Sequence, residues 1–108
     1  MEKENLLISI IEQQKINELK DFVKENKDFQ FNFTTSAGKN LLHFAASKLS
    51  SNTLGIIQIL LLKGLDPLAL DEKFKSSLDI AKESSNIPAM TIMKHFVNLK
   101  NKESQTYI

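Results

Sequence analysis

Two histidines, thirteen carboxylate side chains and no cysteine are what this chain of 108 residues offers for chemistry. A catalytic or structural metal needs three or four ligands converging at workable spacing. Neither His43 nor His95 has a carboxylate or a second histidine placed to join it. Without cysteine there is no thiolate nucleophile, no disulfide and no Cys-based zinc site. Asp66, Asp71 and Asp79 are the carboxylates nearest to a cluster. The first two lie in turn-forming stretches, where aspartate commonly accepts from backbone N–H groups, and Asp79 has no motif partner. Ser36-Ala-Gly-Lys39 matches a bare Ser-x-x-Lys, but the companion S-D-N and K-T-G motifs are missing, as is any G-x-S-x-G. Gly38, Gly55 and Gly64 are too scattered for a phosphate loop. The residues predict no catalysis, no metal and no cofactor.

Charge and hydropathy narrow the remaining classes. Fourteen basic against thirteen acidic residues give a net charge of +1, so no global field attracts nucleic acid or anionic lipid. Every basic residue is lysine, which removes the bidentate fork that reads guanine or clamps phosphate. Hydrophobic residues make up 42%, enough for one folded domain and too many for a disordered chain. The longest apolar run, about Ile56 to Leu65, is near half of a membrane span. Residues 1–14 show neither the basic flank nor the cleavage site of a secretory signal. The expected setting is cytoplasmic, with no membrane insertion.

The elements that must position any working surface follow from periodicity. Leu6, Leu7, Ile10 and Ile11 predict a helix over Leu6–Gln14, with Asn5 as its cap. A second follows from about Lys15 to Asn26, with Ile16, Leu19, Phe22 and Val23 on a narrow stripe. Phe29 to Phe33 alternates as an extended segment does. Asn40 caps a short helix over Leu41–Lys48, and 50–53 is a polar loop. Leu54–Leu62 is apolar all round, which predicts a helix covered on both sides, ended by Gly64 as its C′ residue. Asp66 to Asp71 reads as extended. The last pair is Leu78–Glu83 and Pro88 to about Leu99, with proline in the first turn.

Shifted by 36 residues, the chain matches itself. Leu42 falls on Leu78, Ala45 on Ala81, Ile56 on Ile92 and Ile57 on Met93. A period of that length, with a helix pair per copy, is a repeat signature. The copies resemble the ankyrin repeat: GKNLLHFAA stands where that family has G-x-T-P-L-H-x-A-A, and IIQILLLKGLDPLALD where it has I-V-x-L-L-L-x-x-G-A-D-V-N-A-x-D. Leu41 and Ser77 replace the family's proline. Phe74 stands where the family has its tip glycine, so the resemblance does not carry that turn.

The resemblance implies an all-α helix-pair solenoid with short hairpin-like extended tips. It divides residues 1–99 into a partial repeat (5–34), a central repeat (35–70) and a C-terminal repeat (71–99), followed by a flexible tail, 100–108. It implies that His43 is a structural hydrogen-bonder. It also implies protein–protein recognition, as an adaptor or a subunit, with a small enzyme-occluding inhibitor as the alternative. Partners of such stacks meet the tips and inner helices. Those positions include Ser36, Lys39, Lys48, Leu70, Glu72, Lys73, Phe74 and Lys75, with Phe74 either an anchor or folded onto its own turn. Separately, the apolar arc of the last helix is wider than one neighbour covers. Met90, Met93, Phe96 and Val97 are therefore expected to leave a strip for another subunit, unless Tyr107 and Ile108 fold over it.

Overall fold

Six helices build the protein: α1 (Glu2–Glu12), α2 (Ile16–Glu25), α3 (Leu41–Ala45), α4 (Thr53–Leu62), α5 (Ser77–Glu83) and α6 (Ile87–Gln105). The computed structural model describes residues 2–105, with side chains through Leu99. No strand occurs among the described residues, and the expected cover by Tyr107 and Ile108 lies outside them. Consecutive helices pack as pairs, α1 on α2, α3 on α4 and α5 on α6. The first members then lie side by side as one row, α1–α3–α5, and the second members as another, α2–α4–α6. A radius of gyration of 13.7 Å is that of a folded chain of this length.

The core runs between the rows. Leu7, Ile11, Leu19, Leu41, Leu42, Ile56, Ile57, Leu60 and Met93 are its largest fully buried apolar side chains. Helix α4 supplies three of these, and both neighbours in its row press on it. Gly55 marks the α2 side, because a Cβ there would come within 2.5 Å of Ile16 Cδ1. The expectation that α4 is covered all round is corrected: Leu62 is 77% exposed, and Leu54 is also open to solvent. Two flanking helices leave a solvent side on the middle one. Met93 is buried, so it belongs to the core and not to an exposed strip.

Helix ends differ from the pattern where caps decide them. Asn5 lies inside α1, which begins at Glu2, so it caps nothing. The third helix stops at Ala45. At the carboxyl end, α6 continues to Gln105, through much of the segment read as a flexible tail. The Phe29 to Phe33 segment is irregular. Its alternation serves ring packing: Phe22, Phe29, Phe31 and Phe33 meet edge to face, with centroids between 5.1 and 6.1 Å apart.

Candidate functional site

Two turns, 36 residues apart, form the edge of the molecule where α3 and α5 begin. In the first, the Thr35 N–H donates to the Lys39 carbonyl (2.9 Å) and the Gly38 N–H to the Thr35 carbonyl (2.9 Å). In the second, the Asp71 N–H donates to the Lys75 carbonyl (2.9 Å) and the Phe74 N–H to the Asp71 carbonyl (3.0 Å). The pattern is the same, and so is the backbone: Gly38 has φ 77° and Phe74 φ 60°. The second turn therefore forms despite its missing glycine. A phenylalanine takes the left-handed conformation, at a cost of about 1–2 kcal/mol for an L-residue.

Asp71 explains why that turn holds. Its side chain is buried, and Oδ1 accepts from the Lys73 N–H (2.8 Å) and the Lys75 N–H (3.0 Å). The Lys75 N–H, with smaller help from the Lys73 N–H and the Lys39 charge, holds its carboxyl below the usual aspartate range. The turns also touch each other: the Glu72 N–H donates to the Ala37 carbonyl at 2.9 Å. A Cβ on Gly38 would lie 3.2 Å from the Glu72 nitrogen.

Behind each turn an inner helix is capped in the same way. The Asn40 side chain accepts from the His43 N–H (3.1 Å), and His43 Nδ1 accepts from the Asn40 N–H (3.0 Å). Ser76 and Asp79 repeat this reciprocal cap, with the Asp79 N–H to Ser76 Oγ at 3.1 Å and the Ser76 N–H to Asp79 Oδ2 at 3.0 Å. Hydrogen bonds from Ser76 keep the Asp79 carboxyl below its ordinary range. His43 also reaches the Lys75 carbonyl through Nε2, at 3.0 Å. A carbonyl oxygen only accepts, so Nε2 carries the proton. His43 is a buried structural link between the second and third pairs.

Seven of the residues singled out from sequence come together along this edge: Ser36, Lys39, Leu70, Glu72, Lys73, Phe74 and Lys75. Phe74 is 81% exposed and does not fold onto its turn; Leu70, on the other side of Asp71 in the chain, is also exposed. Lys39 places Nζ 5.9 Å from the centroid of the Phe44 ring. Lys75 pairs with Glu83 at 2.5 Å, and that carboxylate raises its pKa. Lys48 lies at the other end of α3, 3.5 Å from Glu12. Met90 and Val97 sit on one edge of α6, both half-buried.

A second surface was not singled out from the sequence. The facing sides of α4 and α6 border a shallow, open apolar groove of about 450 Å³, lined by Leu54, Gln58, Ile87, Pro88, Thr91, Ile92 and His95. No carboxylate or ammonium is among its lining residues. Leu54 and Gln58 at helical spacing were its signal, but which neighbour they face needs the packing of the rows. Among the described residues no three His, Cys, Asp or Glu side chains are placed to hold a metal. None of the described helices is long and apolar enough to cross a membrane. No family model matches the chain, and no curated protein matches it.

Proposed function

We propose that the chain is a short ankyrin-type solenoid that recognises another protein through its tips, as an adaptor or a subunit of a larger assembly, and not an enzyme. The repeated turns, the repeated reciprocal caps and the two rows of helices support the architecture. One observation carries the function: Phe74 is 81% exposed on a left-handed backbone. Exposure of a large aromatic and local strain are both unfavourable for an isolated fold, and strain of this kind gathers at binding sites. The turn is held by Asp71, so the backbone that carries the ring has little conformational freedom left to lose on contact. Leu70, Lys73 and Glu72 surround it with mixed character, which suits a specific protein surface better than a nucleic acid.

The test compares the wild type with Phe74→Gly as baits in a quantitative pull-down from the source cells. The reading requires a partner held by the wild type and released by a variant that melts no lower. A partner retained equally by both would remove Phe74 from the contact.

A further inference from the structure

Gly38 does more than turn the chain: it lets the second turn come close. A Cβ built on it would meet backbone of that turn, 3.2 Å from the Glu72 nitrogen and 3.3 Å from the Asp71 Cα. This approach is what allows the Glu72 N–H to reach the Ala37 carbonyl and tie tip to tip. The second turn repeats the first, with the same internal bonds and a left-handed residue at the same place. Its Lys73 carbonyl stands where that of Ala37 stands and has no hydrogen-bond partner among the described residues. Phe74 stands where Gly38 stands. Its Cβ therefore projects along the stack, into the space that the backbone of a third turn would have to enter. We propose that Phe74 is the end stop of the stack, its side chain keeping any further turn of this kind from bonding to the Lys73 carbonyl. The inference goes beyond the reading of the ring as a contact, because the stop acts in the isolated chain.

Strain, packing and the open edge each agree. Glycine would hold the same backbone with less strain, so what phenylalanine adds at position 74 is a side chain where the first turn has none. A terminal repeat is ordinarily closed by a polar outer face. On the third pair Ile80, Met90 and Val97 remain half-buried instead, so its helices do not supply that closure. An unpaired backbone edge invites pairing with another chain unless something covers or obstructs it. The Lys73 carbonyl is such an edge, and Phe74 is the residue that follows it. A protein that binds here must therefore meet the ring itself and cannot simply prolong the ladder of turns.

Duplicating one period of the whole chain tests this. Residues 63–98, inserted a second time after Asn98, add an outgoing segment, a turn and a helix pair, because Asn98 holds in α6 the place that Leu62 holds in α4. Urea unfolding followed by circular dichroism, with amide hydrogen exchange of the added pair, reads whether that pair docks. With Phe74 kept at the original turn, it is expected to stay undocked, its amides unprotected and the denaturant slope that of the parent chain. With Phe74→Gly at that turn alone, the added amides should become protected and the slope should rise by about one third, as four packed pairs replace three. Phe74→Asn, which suits a left-handed backbone but keeps a Cβ, should behave as the wild type. Docking in the duplicated wild type overturns the proposal whatever the variants do. Docking by Phe74→Asn overturns it as well, and so does an added pair that stays undocked with Phe74→Gly. The pull-down, made with the unduplicated chain, judges the ring as a contact separately.

Discussion

Gly38 and Phe74 occupy the same place in two successive turns, and both have left-handed backbones, at φ 77° and φ 60°. For glycine that conformation is free of Cβ strain; for phenylalanine it is not. Opposite substitutions should therefore have opposite effects. Phe74→Gly relieves about 1–2 kcal/mol of strain and gives back roughly half through the freer unfolded chain, so a gain of about 0.5–1 kcal/mol is expected. Gly38→Ala adds the same strain and brings a Cβ to 3.2 Å from the Glu72 nitrogen, for a loss of about 2 kcal/mol or more. Urea melts of the two variants check the pair. Destabilisation by Phe74→Gly would show that the ring holds its own turn.

Leu60 is fully buried in the last turn of α4. Leu60→Ala should cost about 2–5 kcal/mol, a large share of what a domain of this size has. Far-UV circular dichroism with denaturant is the measurement. A loss below about 1 kcal/mol would contradict the placement of α4 at the core.

Acid should weaken the third helix pair first. Asp71 and Asp79 both have carboxyl groups held below the ordinary aspartate range by N–H donors. Depressed in the folded state, they contribute stability above the unfolded value of about 4, and that contribution is lost as pH falls through the folded value. Stability should thus decline from about pH 4 downward. Asp71→Asn keeps an acceptor for both N–H groups but cannot titrate. Its stability should fall less steeply over that window, and an unchanged slope would assign the acid sensitivity elsewhere.

Helix α6 should respond differently along its length. Met93 is fully buried, and Met93→Ala should cost about 2–5 kcal/mol. Val97 is half-buried at an edge, and Val97→Glu should cost about 1 kcal/mol or less. Thermal melts of the two variants separate core from edge, and equal losses would mean that Val97 is as enclosed as Met93.

The helices were legible from their apolar patterns: a stripe with Leu19 and Phe22 in α2, a continuous apolar run through Ile56 and Leu60 in α4, and Leu78 and Ala81 in α5. The Asn40 cap was legible as well, since it stands directly before an apolar run, whereas Asn5, which also precedes one, lies inside α1. What the sequence could not show was relative placement. Met93 reads as part of an apolar arc, and only the packing of α6 onto α4 and α5 decides that it is inside while Val97 is at the rim. The groove is lined by residues from two helices separated by the whole of α5, so no local pattern contains it. Phe74 was noticed as a departure, but its outcome turned on Asp71 holding the turn from within, a bond network that spacing alone does not reveal.

The strain at Phe74 also has a consequence in terms of handedness. A backbone at φ 60° is the ordinary helical region of a mirror-image amino acid. If the chain were assembled by ligation with D-phenylalanine at position 74, the turn would be relaxed, yet Cβ would leave the backbone in a different direction. Stability would rise as it does with glycine, while the ring itself would be retained but aimed elsewhere. Such a protein would separate two properties that every genetically encoded variant changes together: possession of the aromatic ring, and the line along which it is presented.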